Sequence, residues 1–294
     1  MFKTLVDTAT LSGHLDDPAW VVVDCRFTLT DTEAGARSYA DGHIPGARYA
    51  HLDRDLSSAI GPGTGRHPLP DPVLLAEKRG TWGIGDGKQV VVYDDSFGAM
   101  AARLWWLLRW LGHDAVALLD GGFPKWRRAG LPVTAVVPEP HPVRFEALRD
   151  DRLWVSSEFV RDAVTRREYL LIDARSEERF CGDIEPLDRV AGHVPGAVNL
   201  PFEDNLDLGG QFLAPQALRS LYLGVLRDLP SERVIQMCGS GVTACHNLLA
   251  MEHAGLHGAK LYAGSWSEWI TDPRRPVASG EGEGILPSGA GAAG

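Results

Sequence analysis

The chain of 294 residues states one pattern twice, and that repeat constrains its fold more than any other feature. Val21-Val-Val-Asp24-Cys-Arg-Phe27 runs parallel to Leu170-Leu-Ile-Asp173-Ala-Arg-Ser176. Asp41-Gly-His43-Ile-Pro-Gly-Ala47 returns as Ala191-Gly-His193-Val-Pro-Gly-Ala197. When Trp126 is laid on Trp269, Val91 falls on Val234, Gly98 on Gly241, Ala101 on Ala244, Gly112 on Gly255 and Gly121 on Gly264. Order and spacing both survive, so the chain is two copies of one module, each long enough to enclose a core.

Each copy reads as α/β. Short β-branched runs bounded by turn residues (Val21–Asp24, Val90–Tyr93, Leu170–Asp173, Val234–Met237) have the continuous apolar character of buried parallel strands. Helical patterns lie between them. Ala99–Leu111 is apolar on nearly every face and Pro215–Arg227 is more mixed. Alternating strands and helices imply right-handed βαβ crossovers, hence a mostly parallel sheet with helices on both faces of each module. The divisions expected are a first module over 1–132, a linker over 133–152 that opens on the proline-rich stretch Val133–Pro142, a second module over 153–278, and a flexible Gly-rich tail over 279–294.

Composition narrows the function. The 29 Lys and Arg against 39 Asp and Glu give a net charge of −10, which argues against a nucleic-acid partner. A small anionic substrate stays open, because a local pair of arginines can oppose the global sign. Residues 1–17 carry no apolar core or small-residue cleavage site, and the most apolar stretch, Leu104–Leu111, is short and broken by Arg109. The expectation is a cytoplasmic protein without a membrane span. Four cysteines, none in a CxxC pair, suit neither a disulfide scaffold nor structural zinc, so no metal and no cofactor are expected.

One cysteine stands apart. In Met237-Cys238-Gly-Ser240-Gly-Val-Thr243-Ala244 a strand ends and an amphipathic helix is expected from near Val242, so Cys238 heads a tight loop at a helix N-terminus. Gly239 and Gly241 are read as left-handed positions that turn successive backbone N–H groups inward as a nest, which with the helix dipole favours a thiolate. Such a cysteine is built as a nucleophile. Sliding the repeat sets Asp95 in its place in the first copy, and a carboxylate cannot accept sulfur as a thiolate does, so that copy is read as inactive. His43 and His193 occur in both copies and are read as structural, as are Trp126 and Trp269.

The pattern resembles the tandem-domain rhodanese family of sulfurtransferases, from Val21 to about Trp269. Tyr262-Ala-Gly-Ser-Trp266-Ser-Glu-Trp269 resembles the family's C-terminal signature and both HxPGA turns its N-terminal one. The Cys238–Ala244 loop is similar to the 3-mercaptopyruvate branch; the thiosulfate branch usually has basic residues directly after the cysteine. The resemblance implies two tandem rhodanese-like domains and a two-step cycle. Cys238 takes a sulfur atom from a small anionic donor as a persulfide, then passes it to cyanide or a thiol, including a protein thiol such as that of thioredoxin. It further implies that Gly239, Gly241, Val242 and Thr243 cradle the outer sulfur, with Thr243 also capping the next helix. Arg179 is matched to the arginine that holds the donor carboxylate, and Arg189, after the shortened loop Glu185-Pro-Leu-Asp-Arg189, to a second one. Asp53 and His67 are matched to residues that form a relay with Ser240, able to protonate a leaving enolate.

Two rival readings fit the sequence less well. A Cys-dependent phosphatase would need an arginine where Ala244 stands. A sulfur-relay or protein-binding module would usually have lost the cysteine, whereas Cys238 sits in an intact Gly loop. A thiosulfate-preferring enzyme remains the alternative within the family.

Overall fold

The structure, a computed structural model, describes residues 1–139 and 141–282. These divide into two compact units. One comprises Met1–Ala59, Leu69–Asp151 and Leu208–Phe212; the other Ile60–Pro68, Arg152–Asp207 and the chain from Leu213 onward.

The first unit holds β1 (Leu5–Val6), β2 (Trp20–Asp24), β3 (Arg48–Tyr49), β4 (Gln89–Tyr93) and β5 (Val116–Leu119) in the order β1-β5-β4-β2-β3. The second repeats it with β6 (Trp154–Val155), β7 (Leu170–Asp173), β8 (Val198–Asn199), β9 (Val234–Met237) and β10 (Lys260–Tyr262), ordered β6-β10-β9-β7-β8. Every pairing is parallel. Parallel strands need crossovers and must be covered on both faces, which is why β4, β5, β7 and β9 are buried along their whole length. The helix Ala101–Trp110 buries nine of its ten residues, which accounts for its apolar character on every face. Helix Pro215–Leu226 opens with proline, whose missing N–H costs nothing there, and buries the stripe Leu218, Tyr222 and Leu226.

The duplicated motifs lock one another. Arg26 forks onto Asp24 at 2.6–3.1 Å and donates to the Gly42 carbonyl at 2.8 Å; Arg175 does the same with Asp173 and Gly192. All four charged side chains are almost fully buried, so removing one partner would strand an ion in low dielectric. The prolyl-glycyl turns that follow are closed by Ala47 N–H on Ile44 and Ala197 N–H on Val194, with Gly46 and Gly196 at φ 79° and 85°, as a type II turn requires. His43 and His193 bond through Nδ1 to the carbonyls of Tyr39 and Phe180 and stack on those rings. Trp126 and Trp269 are buried, their indole N–H groups donating to Pro132 and Pro276.

Among its described residues the stretch read as a linker has no helix or strand before Asp151, but it is tied to the first unit. Thr134 pairs with His43, Val143 N–H donates to Gly80, and Leu148 N–H to Leu111. A side chain at Gly80 would stand 2.4 Å from the Val143 carbonyl, so glycine lets the strap approach. The start of the expected tail is tied to the second unit: Gly280 N–H donates to the Cys181 carbonyl. Residues 283–294 of the expected tail, and Pro140 of the expected linker, lie outside the described residues.

Candidate active site

The loop after β9 is pinned where it begins. Cys238 N–H donates to Ser265 Oγ at 3.1 Å, and the Cys238 and Gly239 carbonyls accept from Trp266 and Ser267 at 3.0 and 2.9 Å. Gly241 is left-handed at φ 77°, and a Cβ there would lie 2.2 Å from the Ala263 carbonyl. Gly239 is not left-handed, contrary to the sequence reading; its lack of a side chain serves a close approach instead. A Cβ at Gly239 would lie 2.9 Å from Arg66 Nη2 and 3.5 Å from Arg179 Nη1.

The following helix runs from Ala244 to His253, later than expected, and is buried from Ala244 to Met251 rather than amphipathic. Thr243 has helical dihedrals and makes no side-chain cap, so its expected capping role falls. A residue already inside the helical region cannot turn its hydroxyl back on the first free N–H groups. Val242 is buried beside it.

Ser240 and His67 meet. Ser240 Oγ lies 2.7 Å from His67 Nδ1, and both side chains are at least 95% buried. His67 belongs to the segment Ile60–Pro68, which folds with the second unit although it comes from the first half of the chain. Arg66 N–H donates to Ser267 Oγ at 3.0 Å, and a side chain at Gly65 would stand 2.6 Å from the Gly264 carbonyl, so the segment is seated tightly. Asp53 is carried by the first unit, exposed on the short helix Leu52–Asp55, where its N–H donates to His51 Nδ1.

Arg179 faces the loop from helix Glu177–Cys181. It is held by Glu185, with Nη2 at 2.8 and 3.0 Å from the two carboxylate oxygens, and reaches Asp188 at 3.3 Å. Burial would raise the Glu185 carboxyl, but Arg179 and the N–H groups of Leu187 and Asp188 outweigh it and hold Glu185 below its ordinary range. Arg189 points elsewhere: its Nη2 donates to the Ile270 carbonyl at 2.5 Å, at the end of helix Ser265–Trp269. The second guanidinium at Gly239 is that of Arg66, paired with Asp188, and sequence reasoning missed it. The available signal was adjacency, since Arg66 directly precedes His67. Arg175 adds positive charge. Burial opposes that charge, but Asp173, then Glu185 and Cys238, raise its pKa.

The first unit shows what such a loop can hold. Asp24 stands opposite Tyr93 in the sheet as Asp173 stands opposite Met237, so the first residue after the strand is Asp94 in one copy and Cys238 in the other. The main chain agrees: the Asp94 carbonyl accepts from Phe123 N–H as that of Cys238 does from Trp266. Asp94, not Asp95, therefore occupies the cysteine position; the first loop carries one extra residue before Gly98, which a rigid slide of the repeat cannot register. The Asp94 carboxylate, 1% exposed, accepts four backbone N–H groups, from Ser96, Gly98, Met100 and Ala101, at 2.8–2.9 Å. It is an anion seated in a ring of amides. By the repeat, three of these donors correspond to Gly241, Thr243 and Ala244.

Comparison with known proteins identifies the family. The model of the rhodanese-like domain matches residues 7–129 and again 156–272. The chain is 49% identical over 279 residues to a Pseudomonas aeruginosa protein named "Probable 3-mercaptopyruvate sulfurtransferase", covering 94% of this chain and 98% of that one. It is 34% identical over 297 residues to the thiosulfate sulfurtransferase of Cricetulus griseus, covering 96% and 97%. The crystal structure of SseA from Escherichia coli, described as a 3-mercaptopyruvate sulfotransferase, superposes with a TM-score of 0.79 at 32% identity, over 90% of this chain and all of that one. Among the described residues no helix is long and apolar enough to cross a membrane.

Proposed function

This chain belongs to the rhodanese family and is a sulfurtransferase, and from that premise we propose that it moves sulfur from 3-mercaptopyruvate through a persulfide on Cys238. The Cys238 thiolate attacks the donor sulfur. An S–S bond forms, the carbon–sulfur bond breaks, and its electron pair leaves on the pyruvate enolate. The enolate takes a proton from the Ser240 hydroxyl, which His67 re-protonates. The N–H groups of Gly241, Thr243 and Ala244 hold the outer sulfur as their counterparts hold the Asp94 carboxylate. Arg179 and Arg66 exchange part of their pairing with Glu185 and Asp188 for the donor carboxylate. A nucleophilic acceptor, cyanide or a thiol, then removes the outer sulfur and returns the thiolate.

The observation that carries the donor assignment is the 2.7 Å contact between Ser240 and His67 two residues after the nucleophile. A carbon leaving group needs a proton, whereas sulfite leaving from thiosulfate does not. The test is a comparison of kcat/KM for 3-mercaptopyruvate and thiosulfate with cyanide as acceptor, together with mass spectrometry locating the added sulfur. A higher value for thiosulfate would refute the donor assignment; sulfur on any cysteine but Cys238 would refute the site.

A second reading, preference for thiosulfate, is favoured by the two guanidinium groups at Gly239, which suit a dianion. Both are already matched by Glu185 and Asp188, which weakens that pull.

A further inference from the structure

The first unit has lost the nucleophile but kept a cleft. An open cavity of about 960 Å³ lies at the carboxyl ends of β2, β4 and β5, the edge at which open parallel α/β sheets receive ligands and which in the second unit carries Cys238. Its floor is Arg26, already held by Asp24, with its guanidinium 4.3 Å from the centroid of the Phe123 ring. Around it stand Arg127 and Arg128, from the last turn of helix Gly122–Arg128, and Asp41 and Asp95. Among the described residues none of these four forms an ion pair, although two of each sign face one cavity. Phe123 and Leu131 supply an apolar wall.

Charges of both signs that share a cleft without meeting match a ligand carrying both signs at a fixed separation. A simple anion would be repelled by the carboxylates and a simple cation by the arginines. We infer that this cleft binds a small zwitterion of the α-amino acid type, its carboxylate on Arg127 and Arg128, its ammonium toward Asp95 and Asp41, and its side chain against Phe123 and Leu131. Burial, then the neighbouring Asp94 carboxylate, push Asp95 up, so an ammonium ion there relieves a carboxylate that has no full counter-charge. The cleft is lined by residues of the first unit alone, with no cysteine among them.

The experiment titrates the full chain with L-leucine, 4-methylpentanoate and isoamylamine, the last two being leucine without its ammonium and without its carboxylate, by calorimetry or chemical-shift perturbation. Leucine is expected to bind at least about tenfold more tightly than either half-ligand, and Arg127→Gln/Arg128→Gln to weaken it by about tenfold, the scale of two exposed ion pairs. Both arginines are exposed, so the double variant should fold; circular dichroism verifies it. Cys238→Ser should bind leucine unchanged. Equal affinity for a half-ligand, no leucine binding at tens of millimolar, an unaffected double variant, or loss of binding in Cys238→Ser would each overturn the inference.

Discussion

Replacing Asp94 by Asn tests the reasoning on which the site rests, because it changes one oxygen for an NH₂ group in a ring of donors. In the native loop Oδ1 accepts from Ser96 and Gly98, and Oδ2 from Met100 and Ala101. Asparagine can keep only one such pair; its NH₂ then faces two N–H groups that have no other acceptor. Hydrogen bonds to a charged group contribute about 1.5–3 kcal/mol each, so losing two costs about 3–6 kcal/mol. The loss is not relieved by water, since the side chain is 1% exposed. Urea unfolding followed by circular dichroism is expected to show the first transition shifted to lower denaturant by that amount. Asp94→Ala empties the ring instead, and formate at high concentration should recover part of the lost stability by binding the native state alone. A cost below about 1 kcal/mol for Asp94→Asn, or an identical response of Asp94→Ala to formate and chloride at equal ionic strength, would refute the picture of an amide ring built for an anion, and with it the support that ring lends to the Cys238 loop.

The remaining expectations follow from other contacts. Cys238→Ser should abolish sulfur transfer without loss of fold, whereas Cys25→Ser and Cys245→Ser should retain turnover; steady-state assays and mass spectrometry decide. His67→Asn should lower kcat with 3-mercaptopyruvate by about 10²–10⁴ and spare thiosulfate, since only the first leaving group needs the proton; equal losses with both donors would remove His67 from proton transfer. Arg79 is fully buried with its three guanidinium nitrogens lacking hydrogen-bond partners, its charge over the Phe145 ring at 3.9 Å and its pKa pushed down to about 9 by burial. At about 1.4 kcal/mol per unit, a fall from 12.5 to about 9 opposes folding by roughly 5 kcal/mol, of which the aromatic contact returns about 2. Arg79→Met should therefore stabilise by about 1–3 kcal/mol at neutral pH. Because the folded state gives up the proton first, wild-type stability should gain on this account only as pH rises above about 9, and the gain should vanish in Arg79→Met.

Much of this protein was legible in its sequence because the signals are local. The strands announce themselves as β-branched runs, the type II turns as Pro-Gly, and the duplication as spacing that survives from Val91 to Trp126 and from Val234 to Trp269. Cys238 stands out because a strand, a glycine loop and a helix are consecutive in the chain. What the tertiary structure alone decided depends on residues far apart in sequence or on a change of one residue in length. Asp94 replaces Asp95 as the counterpart of Cys238 because strand pairing counts from the sheet, while a slide of the repeat counts from Gly98 beyond an extra residue. Arg66 and His67 reach the second unit because a short segment folds away from its sequence neighbours, a long-range contact that no local periodicity records. Arg189 turns to a helix-end carbonyl while Arg66 stands beside Arg179 at Gly239, since a guanidinium on a long side chain goes wherever the surrounding acceptors are, and only the fold determines where those stand.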